Sequence, residues 1–174
     1  MTTSIFHTSM DLFARTVTYI LLVITGSLVL LTIASILGID IFWVELPIPL
    51  TCILSVLIIS IYVYKPLLYE VGISEVVIKR FVGDLTFQFQ DIQEIKLLGR
   101  EQLSWTLRTF GNGGLSGYTG KYWNRKLGSM DWYATQRHQG ILLILKNNKQ
   151  VFVTPDQPQQ MFAQINERIK STMY

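Results

Sequence analysis

The sequence is poor in cysteine and histidine and, over its first third, in charge. It has one cysteine, Cys52, and two histidines among 174 residues. A single cysteine excludes an internal disulfide and a zinc site built on cysteines. Residues 1–64 hold one basic and three acidic residues, whereas residues 65–174 hold the other 14 basic and 9 acidic residues. This asymmetry divides the chain into an apolar first part and a charged second part.

Two long apolar runs occupy the first part. Residues 13–37 contain a single charge, Arg15, and residues 46–64 contain none. As helices, the runs would extend about 37 Å and 28 Å, close to the roughly 30 Å of a bilayer's hydrocarbon core. A cleaved signal peptide is the alternative for the first run, but its apolar region spans only about 7–15 residues. We therefore predict two retained transmembrane helices that form a hairpin.

The charges that flank the two runs predict an orientation. The intervening loop, residues 38–47, has no Lys or Arg, whereas Arg15 and Lys65 lie at the outer ends of the runs. Because basic residues favour the cytoplasmic side, we expect both termini in the cytoplasm. The near absence of charge within the runs argues against a transporter or pump. Ala34 and Gly38 form a small-x-x-x-small pair that would permit helix association, including a homo-oligomer.

From about residue 67 the apolar pattern changes from continuous runs to alternation, which is typical of strands. Ile141–Leu145 is uniformly apolar and favours a strand buried on both faces. Lys146–Lys149 then predicts a hairpin turn. Seven strands are predicted in all: residues 74–80, 85–90, 92–98, 103–108, 127–135, 141–145 and 151–153.

The chain ends with a predicted amphipathic helix. Met161, Phe162, Ile165 and Ile169 recur at helical spacing. Asp156 is a good N-cap, and Gln159, three residues later, completes a capping box. One helix after about seven short strands predicts a small all-β barrel with the helix across one open end.

Three segments resemble the bacterial pleckstrin-homology-like (PH-like) domains found in small membrane proteins. They are Phe110–Asn124 (FGNGGLSGYTGKYWN), Trp132–Thr135 (WYAT) and Thr154–Pro158 (TPDQP). The resemblance covers residues 68–170, with Ser116 standing where the family usually has an aromatic residue. It implies a PH-like barrel in residues 67–174, preceded by the tail and hairpin of residues 1–66. It also implies a bacterial cytoplasmic membrane.

The most unusual local feature is a cluster of glycines between residues 111 and 120. A Walker phosphate loop would need glycine at position 115 and Ser or Thr at position 122, where Leu115 and Tyr122 stand. No helix is predicted after the cluster, which argues against a dinucleotide-binding loop. We therefore interpret the glycines as parts of a structural loop: Gly111, Gly113, Gly114, Gly117 and Gly120.

A basic, aromatic segment surrounds these glycines. Residues 96–137 hold seven basic and two acidic side chains, a net charge of +5. Tyr118, Tyr122 and Trp123 accompany them, and Trp and Tyr suit the headgroup layer of a membrane. The alternative is an ordinary solvated rim with buried aromatic residues. The candidate contacts with lipid or a partner are Arg108, Lys121, Trp123, Arg125 and Lys126.

These observations favour a membrane-anchored binding or scaffolding module that docks on anionic lipid headgroups or on a membrane protein partner. One alternative is a structural subunit of a membrane complex, assembled through the helices. A membrane enzyme is a distant alternative, because neither His7 nor His138 has a nearby catalytic partner in the sequence. We expect no metal, no cofactor and no nucleic acid partner.

Overall fold

A computed structural model describes residues 3–38 and 47–172. Two helices dominate the first part: α1 spans Leu12–Ile36 and α2 spans Pro47–Tyr64. Most of the loop predicted between them lies outside the described residues. Asp11 begins α1 because its side chain accepts a hydrogen bond from the Ala14 backbone N–H at 2.8 Å. One helix of the described chain, α1, is long and apolar enough to cross a membrane.

The two helices pack along a narrow seam. Half-buried positions recur every three or four residues, and the hydroxyls of Thr32 and Thr51 lie 3.4 Å apart across the seam. The other faces of α1 are apolar and exposed. None of its most apolar window is buried, which distinguishes α1 from the core helix of a soluble domain. The seam residues include Thr18, Leu21, Thr25, Leu28 and Thr32 in α1 and Thr51, Leu54, Ile58 and Ile61 in α2.

A four-stranded antiparallel sheet includes a strand from before the helices. Its strands, in spatial order, are β1 (Ser4–His7), β2 (Leu68–Val71), β3 (Glu75–Lys79) and β4 (Leu85–Gln88). Strand β1 pairs with β2 and buries Phe6 in the core. The sequence analysis treated these residues as a tail, because a four-residue strand has too little pattern to recognise.

The second sheet has six strands. They are β5 (Ile92–Leu98), β6 (Thr106–Gly113), β7 (Tyr118–Asn124), β8 (Gly128–Ala134), β9 (Gly140–Leu145) and β10 (Gln150–Val153), in the spatial order β5-β9-β10-β8-β7-β6. Neighbouring strands are antiparallel except β8 and β10. The prediction of a single closed barrel of about seven strands is therefore wrong. Two separate sheets form in the described chain: β4 continues into β5 through a short 3-10 turn, Phe89–Asp91, and does not pair with it.

The predicted C-terminal helix is confirmed as α3, Pro158–Thr172. It packs against β2, β5 and β9 and buries Met161 and Ile165 completely. The predicted N-cap is wrong. The Asp156 carboxylate instead accepts hydrogen bonds from the backbone N–H and hydroxyl of Ser9, at 2.9 and 2.7 Å. The same carboxylate accepts a hydrogen bond from the Gln136 amide at 3.0 Å. Its partners thus lie between β1 and α1 and after β8, far away in the sequence, where local patterns do not reveal them.

Candidate binding surface

The glycine cluster builds the β6–β7 hairpin. Gly111 and Gly120 pair directly across its strands, with φ of +107° and +122°. A Cβ on Gly111 would overlap the carbonyl oxygen of Thr119, and one on Gly120 would overlap that of Phe110. These two positions therefore require glycine, and they leave a stretch of bare backbone on the hairpin.

The turn of this hairpin contacts α1. The Ser116 backbone N–H donates a hydrogen bond to the Thr18 hydroxyl at 2.8 Å. A Cβ on Gly114 would lie 2.8 Å from the Phe13 ring, so the turn and the helix meet closely. The side chain of Asn112 holds the turn by bonding to Leu115 and to the Gly117 carbonyl. The turn thus fixes the start of α1 to the domain.

A partly buried polar cluster makes a second connection between α1 and the domain. The carboxylate of Asp11, besides capping α1, accepts a hydrogen bond from the Tyr118 hydroxyl at 2.9 Å. Arg137 lies 3.5 Å from the same carboxylate and stacks over the Phe13 ring at 4.3 Å. Burial, reinforced by the Asp11 hydrogen bond, raises the pKa of Tyr118, so the hydroxyl keeps its proton and remains a donor.

The two tyrosines expected among the headgroup contacts lie in the core instead. Tyr118 and Tyr122 are buried, and Tyr122 stacks on Trp132 with 4.3 Å between ring centroids. The Tyr122 hydroxyl donates to the Asn112 carbonyl at 2.6 Å, and burial raises the pKa of Tyr122 to about 12. Strand alternation explains the difference from Trp123, whose side chain points to the opposite face.

The opposite face of this hairpin, which we call the outer face, carries exposed apolar side chains. Leu107 pairs with Trp123, and Phe110 pairs with Lys121, so all four share this face. A β-bulge at Thr109 shifts the register by one residue and thereby brings Phe110 to the same side as Leu107. The exposed fractions are 61 % for Leu107, 76 % for Phe110 and 44 % for Trp123. Strand β6 is also an edge of its sheet.

One end of the outer face forms a cleft of about 660 Å³. Trp105 is 87 % exposed beside it, and its φ of +60° turns the backbone into β6. The sequence analysis predicted a strand over residues 103–108. The start of that strand is wrong, because β6 begins at Thr106, so Trp105 precedes it, and both Trp105 and Leu107 are exposed. The lining residues are Ser104, Trp105, Leu107, Trp123, Asn124, Arg125 and Lys126.

The other end of the outer face meets α2. A groove of about 580 Å³ separates the last turns of α2 from the sheet. Tyr64 and Ile61 of α2 form one wall, and Phe110 and the bare backbone at Gly111 and Gly120 form the other. The outer face therefore continues from the cleft at Trp105 and Trp123 to the end of α2.

The five predicted contact residues do not all lie together. Trp123, Arg125 and Lys126 line the cleft, and Lys121 lies between cleft and groove. Arg108 pairs with Tyr122, so its side chain leaves β6 on the inner side and lies over Gly113. The sequence missed Phe110 and Trp105, whose exposure depends on the bulge and on the turn before β6. Within residues 3–38 and 47–172, no group of three or more His, Cys, Asp and Glu side chains could hold a metal ion.

Comparison with known proteins identifies the domain. The family model described as bacterial PH domain matches residues 67–169. The chain belongs to the bacterial PH domain family. Membership indicates a binding or scaffolding module, consistent with two sheets followed by a C-terminal helix. Neither the curated proteins nor the solved structures include a significant match to this chain.

Proposed function

We propose that this PH-family chain is a membrane-anchored binding module that lays its outer face on anionic lipid headgroups and performs no chemical step. The observation that carries the proposal is the continuity of this exposed apolar face with the groove along α2. Soluble proteins rarely expose several large apolar side chains next to one another, as Leu107, Phe110 and Trp123 are here. Such a patch marks an interaction site. Because this patch adjoins α2, which we propose to lie in the membrane, the bilayer is the nearest apolar phase.

Strand β1 supports an anchor that is retained. Removal of α1 as a signal sequence would also remove β1 and the buried Phe6 from the four-stranded sheet. Strand β1, which precedes α1, pairs directly with β2, which follows α2, so both helix ends adjoin one sheet. This supports an arrangement in which the two ends share one side of the membrane. Arg15 and Lys65 are basic residues at these two ends and favour the cytoplasmic side.

The cations of the outer face suit anionic lipid. Within the described part of the chain, Lys121, Arg125 and Lys126 form no ion pair with a carboxylate. Asp131 pairs in register with Lys121, but its carboxylate binds Lys149 at 3.1 Å. Each basic residue near an anionic leaflet contributes about 1 kcal/mol of attraction. The three together would contribute about 3 kcal/mol.

A protein partner is the second candidate, favoured by the cleft between Trp105 and Trp123. Tryptophan and arginine dominate the binding energy of many protein interfaces, and Arg125 lines the same cleft as the two tryptophans. A partner in the cleft would form a membrane complex, whereas lipid docking needs only the bilayer. The two functions therefore differ in their dependence on lipid charge.

Hydrogen–deuterium exchange of the full chain in nanodiscs tests the proposal. We expect slower exchange in strand β6 when phosphatidylcholine is supplemented with phosphatidylglycerol, and a loss of this protection at high salt. Replacing Lys121, Arg125 and Lys126 by Gln should abolish the difference between the lipids. The matched control replaces Lys96, Lys146 and Lys170, which removes the same charge from other surfaces. Equal exchange of β6 in both lipids would contradict lipid docking and favour a protein partner.

A further inference from the structure

The groove along α2 has the chemistry of a site for a single lipid. Its apolar walls come from Ile61 and Tyr64 on one side and Phe110 on the other. Phe110 is largely exposed across the groove, so the space between the walls is open to a chain-like apolar ligand. On the sheet side, Gly111 and Gly120 form part of the floor of the groove. Because glycine has no side chain, the floor is bare backbone at these two positions.

Arg80 is the one charged residue among those that line this groove in the described chain. It follows strand β3, and its guanidinium carbon lies 5.8 Å from the ring centres of both Tyr64 and Tyr133. The Nε atom donates to the Gly83 carbonyl at 2.7 Å and Nη2 donates to the same oxygen, which fixes the direction of the side chain. Arginine has five N–H donors, so the guanidinium retains donors for an anion.

Nearby carboxylates do not pair with the guanidinium of Arg80 in the described residues. Asp84 binds the ammonium of Lys79 at 2.8 Å and accepts only the backbone N–H of Arg80, at 3.0 Å. The Lys79 hydrogen bond lowers the pKa of Asp84, so the carboxylate remains ionised and engaged with Lys79. In residues 3–38 and 47–172, no carboxylate forms an ion pair with the Arg80 guanidinium.

We propose that the groove binds one anionic phospholipid, with its phosphate at Arg80 and an acyl chain between α2 and Phe110. The inference rests on the proposed membrane anchorage, because α2 supplies one wall and is surrounded by lipid where it leaves the bilayer. Arginine pairs with phosphate through charge-assisted hydrogen bonds, and the apolar walls suit an acyl chain. A free phosphate ester would share only the first of these contacts.

Native mass spectrometry of the detergent-solubilised full chain tests this site. We expect one phosphatidylglycerol molecule to remain bound at lipid concentrations at which phosphatidylcholine is lost. Arg80→Gln should weaken retention about tenfold, the effect of losing one charge-assisted hydrogen bond. Phe110→Ser should also weaken it, since it removes the apolar wall. The matched control is Lys146→Gln, which removes one exposed cation from the turn after β9, away from both proposed lipid contacts, and should leave retention unchanged.

Three results would overturn the proposal. Equal retention of phosphatidylglycerol by the Arg80→Gln variant and the parent would show that Arg80 does not bind the lipid. Equal retention of phosphatidylcholine would exclude recognition of charge. Binding of glycerol phosphate as tight as that of the lipid would assign the site to a soluble phosphate. Failure here leaves outer-face docking intact, because that proposal is measured by exchange in β6 and depends on Lys121, Arg125 and Lys126.

Discussion

The carboxylate of Asp11 accepts a hydrogen bond from the hydroxyl of Tyr118, 107 residues further along the chain. The same carboxylate caps α1 through the Ala14 N–H. One side chain therefore ties the first turn of α1 to strand β7. Together with the contact of Ser116 with Thr18, it fixes the direction in which α1 leaves the domain.

Tyr118→Phe should weaken this connection. The substitution leaves the largely buried Asp11 carboxylate without its hydroxyl donor, while Arg137 remains beside it. We expect a loss of about 1–3 kcal/mol in the free energy of unfolding, the usual cost of removing one partner from a buried charged group. Tyr19→Phe, at an exposed site on α1, is the control. Thermal unfolding in detergent measures the difference. Equal melting temperatures for Tyr118→Phe and Tyr19→Phe would contradict the role of this hydrogen bond.

Substitutions at two adjacent residues of strand β1 should have different effects on stability. Phe6 is 6 % exposed and lies in the core, whereas Ile5 is 56 % exposed on the other face. Phe6→Ala should lower the free energy of unfolding by about 3–5 kcal/mol, the usual cost of emptying a core site. Ile5→Ala should change it by less than about 0.5 kcal/mol. Similar melting temperatures for the two variants would mean that β1 is not part of the folded domain.

The glycine pair in the β6–β7 hairpin is testable in the same way. Gly120→Ala places a Cβ against the Phe110 carbonyl at a φ of +122°, so we expect destabilisation of more than about 2 kcal/mol. Gly26→Ala is the control, since a Cβ there meets no atom within 4 Å. It should be neutral or stabilising by up to about 1 kcal/mol. Denaturation curves that rank the two variants in the opposite order would contradict the close pairing of β6 and β7.

Local patterns in the sequence predict the elements better than their arrangement. The apolar run Ile141–Leu145 and the helical spacing of Met161 and Ile165 are local signals, and the structure bears out both. The division into two sheets is not local, since it depends on where β4 stops pairing. The bulge at Thr109 is equally invisible, because it is defined only by the register of β6 against β7.

The candidate binding surface could likewise be predicted only in part from the sequence. Charge composition led to Lys121, Arg125 and Lys126, which the structure leaves free of ion pairs in its described residues. Composition does not reveal the face on which a side chain lies. It therefore grouped the buried Tyr122 with the exposed Trp123, which alternate along one strand.

The depth of Leu107 in an anionic bilayer tests the central claim most directly. In a Cys52→Ser background, Leu107→Cys places a fluorescent label on the outer face, and Ala163→Cys places it on the exposed side of α3 as a control. Full-length protein in nanodiscs containing phosphatidylglycerol should show blue-shifted emission and quenching by spin-labelled lipid at position 107 only. Identical, water-like emission at both positions would contradict docking of the outer face on the membrane.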